Sequence, residues 1–453
     1  MEDMRELLAF TAELAADFHA TLRERRVYPE ATVDELRAAL ALPLPEHGTE
    51  ARTVVAELAA AVDPGIVATA GGRFFGFVIG GSVPASVAAD WLATSWDQNT
   101  GLIVAAPAAV VAENTAGEWL LELLGLPHDA SFGFVTSGQT ANFAALAAAR
   151  QHVLAAAGWD VNRDGLTGAP RVRVVVGEKR HGTIDRALRM LGLGAPTDVV
   201  PADDQGRLRA DLLDLTDEPT IICAQAGEVN TGAFDDFHAI ADRRDAVANA
   251  WVHVDGAFGL WAAASPSLRH LTDGCDRADS WSTDGHKWLN VPYDCGVAFT
   301  AHPESHAAAF SIRSAYLVRD DALREPMDFV PEHSRRARAF PVYAAIRALG
   351  RSGIAELLDR CCAHARRFAA GLEELGAEVL NDVVLNQVLF RFADDARTES
   401  VLRGVQESGE AWMSGTVWNG RAAIRISVSS WQTTEDDVDR TLAAFAAQVT
   451  AGI

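Results

Sequence analysis

Lys287 stands in the run Ser282-Thr283-Asp284-Gly285-His286-Lys287-Trp288-Leu289, and Asp255 closes the run Trp251-Val252-His253-Val254-Asp255 that leads into Gly256-Ala257. The two are separated by about one βαβ unit (287 − 255 = 32 residues). A lysine amine among small, polar and aromatic residues at a strand end can form a Schiff base with an aldehyde, and an aspartate ending an apolar strand can hold a proton on a pyridine nitrogen. Chemistry at the Cα of an amino acid leaves a carbanion, and a pyridine ring kept protonated by a nearby carboxylate spreads that charge. The pair therefore points to pyridoxal 5′-phosphate, with Lys287 as its tether and Asp255 as the partner of its ring nitrogen. Either motif alone is equally well a surface turn or a strand-end cap. Their conjunction with the next two segments makes that reading untenable.

Phe132-Gly133-Phe134-Val135-Thr136-Ser137-Gly138-Gln139-Thr140-Ala141-Asn142 runs from apolar to small and hydroxylic, then into an Ala-rich helical stretch through Arg150. A helix that opens on glycine presents free backbone N–H groups and a positive dipole end, which suits a dianionic phosphate. Gly138, Gln139 and Thr140 are the expected phosphate ligands, although a Ser or Thr before a helix is more often a plain N-cap. Glu178-Lys179-Arg180-His181-Gly182-Thr183 follows a strand ending at Val176 and leads into a helix over Ile184–Leu191. His181 thus lies at the C-terminal end of a strand, where ligands of open α/β sheets collect. There an imidazole can stack on the pyridine ring and face the substrate carboxylate or the Cα proton.

The elements that must position these residues are legible from the hydrophobic pattern. The 453 residues, 49% hydrophobic and 22% charged, can bury a large core and a second, smaller one. Residues 1–70 read as an N-terminal helical segment, with Leu7, Leu8, Phe10, Leu14 and Phe18 at helical spacing and interruptions at Pro43, Pro45 and Gly48. Over 71–318 short β-branched runs alternate with Ala- and Leu-rich stretches, which predicts a large domain built on a mostly parallel sheet; Arg171–Val176, Thr220–Cys223 and Trp251–Val254 are its clearest strands. A basic helical stretch, Ser334-Arg335-Arg336-Ala337-Arg338, and a break at Gly350-Arg351-Ser352-Gly353 are expected to link this domain to a small α/β domain within 319–453. That small domain should hold strands near Gln387–Phe392 and Ala422–Ser427.

Acids outnumber bases 62 to 39, for a net charge of −23, which excludes nucleic acid and anionic membrane as partners because both need clustered Lys and Arg. The first six residues are acidic and polar, and no apolar run reaches membrane-spanning length, so a cytoplasmic location is expected. Five cysteines, with Cys361 and Cys362 adjacent and the rest scattered, form neither a disulfide framework nor a metal-ligand spacing.

In this order of motifs the chain resembles the group II pyridoxal-phosphate-dependent amino acid decarboxylases. The likeness runs through Phe74-Phe75-Gly76-Phe77, Trp96-Asp97-Gln98-Asn99, the Thr136–Asn142 run, His181–Gly194, Asn230-Thr231-Gly232-Ala233-Phe234-Asp235, His253–Ala257, His286-Lys287-Trp288-Leu289, Asp294-Cys295-Gly296 and Trp418–Trp431. It implies the fold type I architecture of aspartate aminotransferase, with a mostly parallel seven-stranded sheet, and decarboxylation of an L-amino acid to its amine. It also implies a homodimer with composite active sites. By resemblance Lys287 tethers the cofactor, Asp255 pairs with the ring nitrogen, His181 stacks on the ring and Ala257 packs on its other face. His286 joins Gly138–Thr140 at the phosphate, and Arg425 aligns with the arginine that binds the α-carboxylate across fold type I.

The chain departs from that pattern in places that bear on the reaction. Family members carry a proton-donating tyrosine on a mobile loop, but Leu317–His333 contains none, which leaves Tyr316 and His333 as candidate donors. Without that donor the same site can run as a carbon–carbon lyase, an aminotransferase or an oxidative aldehyde synthase. Gly227-Glu228-Val229-Asn230 stands where hydroxylic threonines are common near the cofactor. Asp284-Gly285 stands where Asn-Pro is frequent, and since a carboxylate repels a phosphate, Asp284 is expected to point away from it. Phe74, Phe75, Phe77 and Trp96 could line an aromatic side-chain pocket; Glu228 or Asp97 could instead receive a cationic one.

Overall fold

The computed structural model describes residues 3–312 and 324–451. Seven strands, β1 (Ser131–Val135), β2 (Arg173–Gly177), β3 (Asp198–Val200), β4 (Thr220–Gln225), β5 (Ala250–Asp255), β6 (Ser280–Asp284) and β7 (Gly296–Thr300), form one sheet in the order β1-β7-β6-β5-β4-β2-β3. Strand β7 is antiparallel to both neighbours, and every other pair is parallel. Parallel strands are covered by helices on both faces, which is why these runs are Val- and Ile-rich throughout rather than alternating. On one face the helix Gly138–Ala156 packs across β1, β4, β5, β6 and β7. Its alanines at 141, 144, 145 and 148 are fully buried and let helix and sheet approach closely. Trp251, Trp261, Trp281 and Trp288 are all buried around the central strands, so the residue after Lys287 is anchored in the core.

A second sheet, β8 (Glu378–Val379), β9 (Gln387–Arg391), β10 (Ser414–Trp418) and β11 (Arg421–Ser427), is antiparallel in the order β10-β11-β9-β8. Helices Asp395–Ser408 and Glu435–Ala451 pack together beside it. The segment around Phe75 is stitched to this sheet: the Phe75 N–H donates to Trp412 O (2.7 Å) and the Ser427 N–H to Phe75 O (3.0 Å). Three N-terminal helices, Met4–Thr21, Val33–Leu40 and Ala51–Val62, have no buried residue.

The basic run 334–338 is not helical; the helix starts at Ala339. The reason is Arg335, whose fully buried guanidinium donates to Thr100 O (2.8 Å), Phe134 O (2.8 Å) and Glu113 Oε2 (2.7 Å). A buried charge must be paired and hydrogen-bonded, and here that requirement sets the backbone path. The break expected at Gly350–Gly353 is a bend inside the helical stretch Ala339–Glu374, centred on Gly350 at φ 63°, a conformation that glycine adopts freely.

Candidate active site

The C-terminal ends of β1, β2, β5 and β6 open on one cavity of about 420 Å³, a size typical of a small-ligand site. Gly138, Gln139, His181, Asp255, Ala257, Asp284, Lys287 and Arg425 all line it, although they come from segments as far apart as residues 138 and 425. A larger groove of about 790 Å³, between Arg269–Asp276 and Arg351–Ala355, holds none of them.

Asp255 is buried at the end of β5, where the register sets it beside Gln225 on β4 and Ser282 on β6. Its Oδ2 accepts from Asn142 Nδ2 (3.1 Å) and its Oδ1 from the Ala257 N–H (3.2 Å). His181 caps the helix Gly182–Met190: its Nδ1 accepts from the Thr183 N–H (3.3 Å) and lies 2.9 Å from Thr183 Oγ1. Enclosure pulls the His181 imidazole below its ordinary pKa; Lys287 and Arg425 push the same way, while Asp255 and Asp284 oppose. Arg425 reaches in from β11. Its Nη1 donates to Val229 O (3.0 Å), its buried Nε has no partner among the described residues, and burial draws its pKa down against the pull of Glu228.

Asp284 does not point away. Its Oδ1 accepts the Gly138 N–H and its Oδ2 lies 3.1 Å from Lys287 Nζ. A carboxylate is stabilised both by a helix N-terminus and by an ammonium, and the two partners together outweigh the expectation of repulsion from a phosphate. Thr140 does not line the cavity; its N–H faces Ser137 Oγ (3.4 Å) and its hydroxyl bonds Thr136 Oγ1 (2.8 Å), so it completes an N-cap. His286 also lies off the cavity, stacked on Tyr293 at 4.2 Å with Nδ1 accepting from the Cys295 N–H (3.1 Å). Phe75 is core, edge-on to Phe368, and Trp96 packs on Phe340. Of the four aromatic candidates Phe77 alone lines the cavity, with Val78, and both take left-handed φ values of 54° and 57°. Paired non-glycine residues in that region store strain, a feature that clusters at ligand sites.

Glu228 is not available to a substrate. Its carboxylate is consumed by the N–H groups of Asn230 and Thr231 (both 2.7 Å) and by their side chains. Asp97 ends the helix Pro84–Trp96, exposed and off the cavity, and His333 does not line it either. Tyr316 lies outside the described residues.

Sequence reasoning missed the polar layer beneath the site. Asn142 sits one helical turn after Gly138, and His253 lies two residues before Asp255 on the same face of β5. Ser280 and Ser282 alternate on the same face of β6, opposite His253 and Asp255. Polar residues at every second position of these strands, His253 and Asp255 on β5 and Ser280, Ser282 and Asp284 on β6, were the available signal.

The set fits pyridoxal phosphate. An amine and a carboxylate line one cavity beside adjacent strand ends, and two buried polar atoms without a partner among the described residues, Gln139 Oε1 and Arg425 Nε, belong to its lining. Fold and site together define a fold type I pyridoxal-phosphate enzyme. The pyridoxal-dependent decarboxylase conserved domain matches residues 34–393, and the chain belongs to that family. Its reaction is accordingly the pyridoxal-phosphate-dependent decarboxylation of an amino acid. It is 28% identical to the aromatic-L-amino-acid decarboxylase of Bacillus atrophaeus (96% of this chain, 93% of that protein). It is 25% identical to the 4-hydroxyphenylacetaldehyde synthase of Rhodiola rosea (96% and 94%). The crystal structure of Oryza sativa TDC with PLP and tryptamine superposes with a TM-score of 0.91 at 24% identity, covering 99% of this chain and 98% of that one. Among the described residues no helix is long and apolar enough to cross a membrane.

Proposed function

We propose that Lys287, Asp255 and His181 are the working residues of a homodimeric, cytoplasmic decarboxylase that takes an L-amino acid with a flat, apolar side chain. The carrying observation is that Asp255, ending β5, and Lys287, in the turn just beyond the end of adjacent β6, line one cavity with His181 and Arg425. Pyridoxal phosphate, when bound there, supplies an aldehyde for the substrate amine and a ring that accepts the Cα charge. Lys287 holds it and releases product; Asp284 Oδ2, 3.1 Å from Nζ, takes the proton that the amine must lose to act as a nucleophile. Asp255, oriented by two neutral donors, supplies negative charge to the ring nitrogen. His181, whose pKa desolvation draws below the ordinary imidazole value, covers the ring. Ala257 is the small residue for its opposite face, and the phosphate meets the helix start at Gly138 and Gln139, where it competes with Asp284 for the Gly138 N–H.

Arg425 meets the α-carboxylate. Because it already donates to Val229 O, it positions that group rather than gripping it, and tight ground-state binding of the leaving carboxylate would not lower the barrier. Phe77, backed by Trp412 at 5.2 Å, offers the side chain a flat apolar wall, and no acid other than Asp255 and Asp284 lines the cavity among the described residues. The dimer is supported by the three N-terminal helices without a buried residue and by Leu42, Leu44 and Leu58, all exposed. The cytoplasmic location is supported by five buried cysteines, none in a disulfide.

A second reading keeps the site and makes an aldehyde instead of an amine. It rests on the absence of tyrosine from 317–333 and on the likeness to an aldehyde synthase. One experiment separates the two: holoprotein is incubated with a panel of amino acids while carbon dioxide, oxygen uptake and product mass are followed. Amine without oxygen uptake is the expected outcome; aldehyde with oxygen consumption establishes the second reading, and no turnover with any amino acid overturns both.

A further inference from the structure

Asp255 and His181 lie at the ends of different strands, yet one run of hydrogen bonds joins them, and its direction is determined by the Asp255 carboxylate, which can only accept. The indole N–H of Trp251 can only donate, and it donates to Ser280 Oγ (2.8 Å). Because the Asn142 N–H groups go to Asp255 and Thr183, its Oδ1 faces His253 Nε2 (2.9 Å), which therefore carries the ring proton, and the bare Nδ1 takes the Ser280 hydroxyl proton, 2.9 Å away. Ser282 donates to the same oxygen (2.6 Å). Two donors on Oδ1 hold the amide in this orientation, with Nδ2 donating to Asp255 Oδ2 (3.1 Å) and to Thr183 Oγ1 (3.2 Å). Thr183 keeps its own proton for His181 Nδ1, where its backbone N–H also donates. His181 therefore accepts at Nδ1 and carries its proton on Nε2.

We propose that Asn142, backed by His253, is a positioning residue that aims the Asp255 carboxylate at the cofactor ring nitrogen and holds His181 as an Nε2–H donor toward the substrate. An amide suits this junction because it has two N–H groups to give and one oxygen that takes both donors from beneath; a carboxylate there would repel Asp255 and a hydroxyl could not serve both. Trp251, His253, Ser280 and Ser282 are fully buried and Asn142 nearly so, so bulk water does not compete for these bonds. Burial drives the His253 pKa down to about 4, so its ring stays neutral and the direction of the run holds across neutral pH.

The ring-nitrogen half rests on the cofactor reading above; the tautomer half does not. In cofactor-free protein labelled with ¹⁵N-histidine, the His181 signals, assigned by their loss in His181→Gln, should show a protonated Nε2 and a bare Nδ1. Asn142→Asp should turn the Thr183 hydroxyl toward residue 142, raise the Nδ1–H tautomer and lower kcat about 100-fold with KM changed far less. Thr183→Val, at a half-buried position, should lower kcat about tenfold with the fold intact, and Thr183→Ser should restore it. Wild-type kcat and an unchanged His181 spectrum in both Asn142→Asp and Thr183→Val would overturn the proposal. If wild-type protein binds no cofactor, the ring-nitrogen half falls with the cofactor reading, while the spectra still decide the tautomer half.

Discussion

The two ends of the cavity are built from like parts and used in opposite ways. Each has an aspartate closing a strand of the same parallel pair, Asp255 on β5 and Asp284 on β6, and each aspartate is buried. Among the described residues Asp255 accepts only from neutral donors, the Asn142 amide and the Ala257 N–H, so its charge remains for a cation in the cavity. Asp284 accepts the Gly138 N–H at the start of the helix Gly138–Ala156 and faces Lys287. A carboxylate complements a protonated ring and opposes a dianionic phosphate. Neighbours, rather than residue type or strand position, thus decide whether an aspartate serves the ligand or competes with it.

The sharpest way to break the contrast is to neutralise each acid in turn. Asp255→Asn should cut kcat by roughly 10²–10³-fold, the range for losing a preorganised charge opposite a developing one, as read by amine formation under saturating substrate; a loss below tenfold would dissolve the distinction between the two ends. The polar layer under the β5 end makes a prediction of its own. His253 has a depressed pKa, about 4, so the unfolded chain, in which this histidine titrates normally, binds the extra proton more readily. Stability therefore falls as pH drops from about 6.5 toward 4, by about 3 kcal/mol from this group alone. His253→Gln should flatten that acid limb in urea melts run at several pH values, while an unchanged slope would assign the loss to other groups.

At the other end Asp284→Asn should tighten cofactor binding about tenfold, since it removes a negative charge from beside the phosphate. Fluorescence titration of cofactor-free protein measures this directly; weaker binding would mean that Asp284 supports the cofactor through Lys287 more than it repels the phosphate. The smallest effect belongs to neither acid. Phe77→Ala should raise KM a few-fold for an aromatic substrate and leave kcat nearly unchanged, as loss of uniform binding does; equal KM values for aromatic and short-chain substrates in both proteins would remove Phe77 from the substrate wall.

Much of this site is legible in the amino-acid sequence alone. Asp255 can be placed because it closes an apolar run, and Lys287 and His181 because they lie in turns just beyond strand ends, and strand ends in a parallel sheet share one edge. Gly138 and Gln139 follow from the helix start, and the state of the cysteines from their scatter. The residues whose roles the sequence does not reveal share a different property. Thr140, His286 and Glu228 each carry groups that satisfy a nearby backbone or side chain first, and a motif cannot show which of several partners a polar group takes. Arg335 reads as one residue of a basic helix and is instead the buried partner of Glu113, 222 positions away.

The amino-acid sequence by itself determined the local and periodic features: which runs become strands, where they stop, which helix opens on glycine, and which chemistry an amine and a carboxylate at strand ends can share. Only the tertiary structure decided the rest. The placement of the second sheet against the loop after β4 brought β11 and its Arg425 to the cavity 170 residues after Asp255 (425 − 255 = 170). The packing of helix Gly138–Ala156 on β5 and β6 closed the run from Trp251 to His181, and competition among donors turned Asp284 inward. Strand ends and helix starts follow from short-range sterics and hydrophobic period, whereas the partner of a buried polar group is settled by everything that burial brings within about 3 Å of it.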